Sequence, residues 1–261
     1  MPSASYIGRF APSPSGPLHF GSLVCALASF LDARCCHGKW MVRIEDIDPP
    51  REDPKHISTI LGQLEDHGLH WDGQIVYQSE RLREYQCALD HLDLKQLTYS
   101  CQCNRKRVQN LGGIYDGRCR SLDLSPEGNA IRLKLPLCSC NDEVGIRDLL
   151  MGEYYQKLAW DVGDFLLKRR DGLYSYQLAS VIDDQFQGIT RIVRGSDLIN
   201  STPRQVYLQK CLGYPNLEYA HIPLAIDHQG KKLSKQNRAL PIIGSHASGN
   251  IWSALDWLNQ N

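Results

Sequence analysis

Residues 8–23 read Gly8-Arg9-Phe10-Ala11-Pro12-Ser13-Pro14-Ser15-Gly16-Pro17-Leu18-His19-Phe20-Gly21-Ser22-Leu23. A short strand-like stretch runs into a loop of Pro, Ser and Gly, and an apolar helical pattern follows. That order aims unpaired backbone N–H groups and the positive end of a helix dipole at one point, where a phosphate can sit. His19 stands at the mouth of the helix. Alone, such a loop reads as well as an ordinary capped turn. A second segment near the other end of the chain, Lys231-Lys232-Leu233-Ser234-Lys235-Gln236, changes the weighting. Its lysines are flexible ammonium groups in a Gly-led loop, suited to the β- and γ-phosphates of a nucleotide held by the first loop. The two together read as a split ATP site.

Outward from the first loop, the pattern is that of an α/β protein. Strands are expected at 6–10 and 40–44 around a mostly apolar helix at 21–36, a βαβ start to a parallel sheet. Amphipathic helices follow at 55–69 and 80–97, with Leu61, Leu64, Leu89 and Leu92 among the expected buried positions. Between 99 and 145 the pattern breaks into Cys, Gly and short strands such as 130–135, which points to an inserted subdomain. Beyond it, 164–168, 174–184 and 189–193 read as sheet-associated, 202–212 as a helix capped by Ser201 or Asn200, and 251–258 as a closing helix. The expected organisation is therefore 1–98, the first half of a catalytic domain; 99–145, an insertion; and 146–261, the second half.

Composition limits the function classes. The 261 residues carry 29 Lys and Arg against 29 Asp and Glu, so bulk charge does not drive binding to a polyanion. An RNA partner would have to meet local patches such as Arg105-Lys106-Arg107 or Lys168-Arg169-Arg170, runs that otherwise read as solvated surface. The N-terminus lacks the basic-then-apolar pattern of a secretory leader, and the longest apolar run, 23–31, is too short to span a bilayer. A cytoplasmic monomer with no membrane partner is expected. In that setting ten cysteines point to thiols and metal rather than disulfides.

The two nucleotide segments resemble the paired signatures of class I aminoacyl-tRNA synthetases, with His19-Phe20-Gly21-Ser22 for the His-Ile-Gly-His motif and Lys232-Leu233-Ser234-Lys235-Gln236 for Lys-Met-Ser-Lys-Ser. Ser22 replaces the second histidine. The longer stretch from Arg9 to His19 resembles the glutamyl and glutaminyl branch in particular. So do Arg43-Ile44-Glu45-Asp46-Ile47-Asp48, Tyr176-Gln177-Leu178-Ala179-Ser180-Val181-Ile182-Asp183-Asp184 as an amino-acid strand, Val193-Arg194-Gly195-Ser196-Asp197-Leu198, and Ser201-Thr202-Pro203-Arg204-Gln205. The resemblance implies a Rossmann-like catalytic core. It places glutamate against Arg9, Phe10, Ala11, Pro12, Ser13, Glu45, Tyr176 and Arg194, and ATP with Mg²⁺ against His19, Gly21, Ser22, Lys232, Ser234 and Lys235. The chemistry agrees: two carboxylates ask for guanidinium forks and an ammonium asks for an acid. Glutamine would leave a cation unpaired, at roughly 3–5 kcal/mol for a broken buried pair. The implied reaction is attack of the glutamate α-carboxylate on the α-phosphorus of ATP, helped by positioning and charge stabilisation.

The cysteine-rich segment has two readings. Spacing favours four thiolates, Cys101, Cys103, Cys138 and Cys140, as two close pairs around Zn²⁺. Resemblance to the shortened paralogues known as glutamyl-Q tRNA(Asp) synthetases implies Cys101, Cys103, Tyr115 and Cys119 instead. The remaining cysteines read as small apolar filler, and His221 is among the histidines with no partner spacing, expected in core or surface.

Beyond Lys235 the sequence given is too short for an anticodon-binding domain, which needs about 50 residues or more. Under the same resemblance, the expected function is tRNA-independent glutamate activation followed by transfer to queuosine at the wobble position of tRNA(Asp). A truncated enzyme charging a tRNA 3′ end and a non-catalytic zinc-bearing RNA-binding module are the alternatives.

Overall fold

The computed structural model describes residues 5–136, 143–225 and 240–260. Strand β1 (Ile7–Phe10), helix α1 (Phe20–Cys35) and strand β2 (Lys39–Ile44) form the expected βαβ unit, with β1 and β2 parallel. Helix α2 (Lys55–Asp66), strand β3 (Val76–Tyr77) and helix α3 (Leu82–Leu94) follow, β3 adding to β2 in parallel. Leu64, Leu89 and Leu92 are buried as their periodicity predicts, and Leu61 is partly so.

Strand β4 (Thr98–Cys101), helix α4 (Arg105–Asn110) and strand β5 (Ala130–Leu133) come next. After them stand β6 (Glu143–Asp148), β7 (Gly152–Lys157), the short helix α5 (Leu158–Asp161) and β8 (Leu166–Lys168). Strands β4, β5 and β8 make a separate antiparallel sheet, so the sheet carrying the cysteine segment takes its third strand from beyond residue 145. Helix α6 (Tyr176–Phe186), strand β9 (Arg191–Gly195), helix α7 (Thr202–Leu212), strand β10 (Glu218–Ile222) and helix α8 (Ala247–Trp257) complete the described chain.

The second large sheet runs β7-β6-β10-β9, with β10 parallel to both β6 and β9. Strand β9 packs beside β1, where Thr190 N–H reaches Ile7 O at 2.9 Å. The chain winds from β1 through α1 to β2 on one side, and from β9 through α7 to β10 on the other. Open α/β sheets bind ligands outside the carboxyl ends of strands at such a reversal. Behind it, wholly buried Trp40 stacks on Phe10, meets Phe30 edge-on and donates from Nε1 to Ser29 Oγ at 2.9 Å.

One expectation fails. Residues 176–184, read as sheet-associated and as an amino-acid strand, are helical. Leu178, Val181 and Ile182 repeat at helical spacing and Ser175 Oγ caps the first turn from Leu178 N–H, whereas the short, mostly apolar run from Leu178 to Ile182 cannot be told from a buried strand by periodicity alone. Ser201 does occupy the cap position of α7, but its side chain makes no capping bond.

Replacing Ser175 by Ala removes the α6 cap and is expected to cost about 1 kcal/mol. Urea unfolding with an unchanged m-value checks this, and a wild-type midpoint contradicts the assigned cap.

Candidate functional site

The carboxyl ends of β1, β2 and β9 open on one cleft of about 650 Å³. Every described residue expected around glutamate and ATP lines it: Arg9, Phe10, Ala11, Pro12, Ser13, His19, Gly21, Ser22, Glu45, Tyr176 and Arg194. Lys232, Ser234 and Lys235 lie outside the described residues, as do Cys138 and Cys140.

The loop before α1 is held from three directions. Pro12 O accepts from Glu45 N–H and Pro14 O from Asp53 N–H, both at 3.0 Å. Gln63 binds Leu18 N–H through Oε1 at 2.7 Å and Ile242 O through Nε2 at 2.8 Å. His19 is the N-cap of α1; its Nδ1 accepts from Ser22 N–H at 3.3 Å and its Nε2 lies 3.1 Å from Ser22 Oγ. The serine in the place of a second histidine is thus a partner of the first. Pro241 pairs with His19, and Ala225 lines the cleft, so both described flanks of the 226–239 segment border this site.

Behind the cleft is a buried charge cluster. Asp184 accepts from Arg9 Nε at 3.1 Å and from Arg43 Nη1 at 2.8 Å, and Arg43 Nη2 reaches Glu45 at 3.4 Å. Burial pushes Asp184 up, but Arg43 and Arg9 together hold its carboxyl below the usual range. Glu45 goes the other way: burial, with Asp184 and Asp183 adding to it, raises it against the pull of Arg43 and Arg9. Asp183, the neighbour of Asp184, takes Gln78 Nε2 at 2.8 Å, Arg81 Nε at 2.6 Å and Tyr85 OH at 2.7 Å.

Arg194 is held differently. It donates from Nη1 to Tyr176 Oη at 3.1 Å, from Nη2 to Thr202 Oγ1 at 2.7 Å and from Nε to His221 Nε2 at 3.1 Å. Sequence reading missed Asp184, Asp183 and Thr202 as partners and put His221 in core or surface without a role. The Asp183 and Asp184 pairings span elements more than 90 residues apart, Arg194 meets His221 across 27 residues and Thr202 across eight, and no spacing signals any of them. The nearest hint is the Asp183-Asp184 pair, two carboxylates inside an apolar run.

The cysteine segment forms a second site. The sulfurs of Cys101, Cys103 and Cys119 lie within 4.8 Å of one another. Cys103 Sγ is 3.5 Å from Cys119 Sγ, and Tyr115 Oη is 3.3 Å from Cys101 Sγ and 3.7 Å from Cys103 Sγ. Tetrahedral metal–sulfur bonds of about 2.3 Å give edges of about 3.8 Å, so these four atoms have the spacing of a ligand shell. Burial and its thiol neighbours push the Tyr115 phenol up, a bias that a bound divalent cation reverses. Arg132 lies over the Tyr115 ring at 3.9 Å and donates to Cys101 Sγ at 3.2 Å. Gly163, at φ +69°, lets its backbone pass against that of Tyr115, where a Cβ has no room.

Residues 7–248 match the family of tRNA synthetases class I (E and Q), catalytic domain. The chain is 51% identical to glutamyl-Q tRNA(Asp) synthetase of Pseudomonas putida KT2440, over 100% of this chain and 85% of that one. It is 51% identical to the enzyme of the same name from Yersinia pseudotuberculosis, over 98% and 76%. Among solved structures, a glutamate tRNA ligase from Elizabethkingia meningosepticum, in complex with its amino acid, superposes with a TM-score of 0.76 at 28% identity. That match covers 89% of this chain, which spans 52% of the ligase.

Asp184 contributes stability that is present above the ordinary carboxylate value and lost as pH falls through its lower folded value. Asp184→Asn leaves Arg9 and Arg43 without their shared anion and is expected to cost about 3–5 kcal/mol at pH 7. Urea unfolding at pH 7 and under acid conditions checks both the loss and its shrinkage toward low pH. A loss under about 1 kcal/mol, or one unchanged in acid, contradicts the cluster as described.

Proposed function

Because the chain belongs to the glutamyl-Q tRNA(Asp) synthetases, ligases of the class I tRNA synthetase family (E and Q), we propose that it activates L-glutamate with ATP without needing tRNA and then transfers the glutamyl group to queuosine at the wobble position of tRNA(Asp). The observation that carries this reading is the cleft, with Arg9, Arg194, Tyr176 and Glu45 on its walls and the His19-capped start of α1 at its edge. Glutamate needs two cationic contacts and one anionic contact, and these side chains offer that set. Asp184 takes Arg9 through Nε, and among the described residues no bond engages the fork end of that guanidinium, which suits a substrate carboxylate. Glu45 receives the ammonium, and a cation beside it favours the carboxylate that burial alone disfavours.

In the first step the α-carboxylate oxygen attacks the α-phosphorus, the bond to the bridging β-phosphate oxygen breaks, and pyrophosphate leaves glutamyl-adenylate. His19, Gly21 and Ser22 at the N-terminus of α1 meet the phosphates, together with Lys232, Ser234 and Lys235. Supporting that grouping, Ala225 lines the cleft and Pro241 pairs with His19, which lines it too. Mg²⁺ entering with ATP neutralises the departing charge. In the second step a nucleophilic group of the modified base attacks the acyl carbon and AMP leaves.

Residues 99–145 are read as an inserted zinc-binding subdomain between the catalytic halves 1–98 and 146–261. Three soft thiolates and a phenolate suit Zn²⁺, held by Cys101, Cys103, Tyr115 and Cys119. When bound, the ion clamps the segment between β4 and β5 as a structural centre.

Labelled glutamate, ATP and Mg²⁺ incubated with tRNA from cells able or unable to make queuosine test the function. Label confined to the queuosine-containing tRNA(Asp) is expected. Equal label on both preparations means 3′-end charging and overturns the reading, and no label on either points to a non-catalytic module.

Elemental analysis of the purified protein is expected to find about one zinc per chain, lost in Cys119→Ser. Full zinc in Cys119→Ser, or in a Cys103→Ser variant, removes these residues from the ligand set.

A further inference from the structure

Strands β9 and β10 are parallel and in register, with Arg194 opposite His221. His221 is completely buried between Arg194 and Asp148, which ends β6. Its Nδ1 lies 2.6 Å from Asp148 Oδ2 and its Nε2 lies 3.1 Å from Arg194 Nε. A guanidinium nitrogen only donates, so Nε2 is the acceptor, and the ring proton sits on Nδ1 facing Asp148. Only this neutral tautomer satisfies both neighbours.

The surrounding groups agree with this tautomer. Asp148 accepts from the backbone N–H of Leu150 at 3.0 Å, Met151 at 2.8 Å and His221 at 3.1 Å, so the carboxylate is fixed by the β6–β7 turn and by β10. Thr202 Oγ1 receives Arg194 Nη2, and its own proton has two acceptors in reach, His221 Nε2 at 3.1 Å and Leu198 O at 3.3 Å, the first of which again requires an unprotonated Nε2. Tyr176 Oη receives Nη1. The three groups that hold Arg194 are therefore an imidazole, a hydroxyl and a phenol, all neutral. Arg9 and Arg43 are instead tied to the carboxylate of Asp184. Three of the five N–H donors of Arg194 are engaged among the described residues, and two remain for a planar two-oxygen partner.

We propose that His221 is a positioning residue: locked in its Nδ1–H tautomer by Asp148, it fixes the Arg194 fork toward the cleft without neutralising its charge, so that the substrate carboxylate supplies the anion. This rests on the glutamate pocket proposed above. The carboxylate that a buried arginine would ordinarily take directly is set one ring behind it. The pair resembles the orienting half of a nucleophile triad, but its output here is a binding cation rather than a base.

Two substitutions separate positioning from packing. His221→Gln extends an amide oxygen toward the place of Nε2 and keeps an acceptor for Arg194. His221→Asn keeps a donor for Asp148 and loses that acceptor. In tRNA-free ATP–pyrophosphate exchange, His221→Asn is expected to raise the KM for glutamate about tenfold or more, as for a lost hydrogen bond to a charged group, with the KM for ATP within about twofold. His221→Gln is expected to recover most of that loss. Equal effects of the two variants, parallel changes in both KM values, or an unchanged glutamate KM in His221→Asn overturn the proposal.

A second readout does not depend on activity. Nitrogen-15 NMR of the wild-type imidazole is expected to show a protonated Nδ1 and an unprotonated Nε2 at neutral pH. The opposite tautomer or an imidazolium overturns the proposal. Absence of glutamate-dependent exchange in the wild type, with the expected tautomer present, overturns the glutamate reading instead.

Discussion

Asp184 is the fixed point of the structure. It comes from α6 and takes one arginine from β1 and one from β2, out of contact with water, so three elements far apart in sequence meet on a single carboxylate. Two further carboxylates join the cluster: Glu45, just beyond β2, 3.4 Å from Arg43 Nη2, and Asp183, 4.0 Å from Arg43 Nε. A buried charge without its partner is far costlier than a surface ion pair, so this network allows one relative placement of the strand ends. The same strand ends make the cleft wall. Stability of the fold and geometry of the site therefore rest on the same side chains.

The two flanks of the cleft use opposite electrostatic arrangements. On the β1 and β2 side, guanidinium groups are paired directly with acid. On the β9 side, Arg194 is gripped by neutral acceptors, with Asp148 held behind His221. For an amino acid with two carboxylates and one ammonium, the ligand proposed above, this division is sensible. One arginine is anchored so that its position is certain, and another keeps its charge for the ligand. The cysteine cluster is independent of both, with Arg132 rather than any cleft residue against Cys101 and Tyr115.

Much of this was legible in the chain. The stretch from Gly8 to Leu23 gave strand, loop and helix, because Pro, Ser and Gly between two apolar patterns leave little else for the backbone to do. Arg9, Glu45, Tyr176 and Arg194 were recognised from motifs, and they do share a cavity. Tyr115 and Cys119 came from resemblance against the preference of spacing, and among the described residues they stand with Cys101 and Cys103. What escaped was the set of partners. Asp184, Asp148, Thr202 and His221 act across strands or helices, and a buried acid inside an apolar run looks the same in sequence whichever basic group it will meet. Helix α6 reads as a strand for a related reason: a short, mostly apolar run precedes the two acids, and its polar residues Gln177, Ser180, Asp183 and Asp184 are themselves buried.

Recognition of glutamate by charge, and its activation without tRNA, is the reading proposed for this cleft. Its most direct test is ATP–pyrophosphate exchange by the purified protein without tRNA, comparing L-glutamate with L-glutamine. Exchange is expected with glutamate, and at least about a hundredfold less with glutamine, since the amide leaves a guanidinium without its anion. Comparable exchange with both amino acids, or none with glutamate, would contradict it.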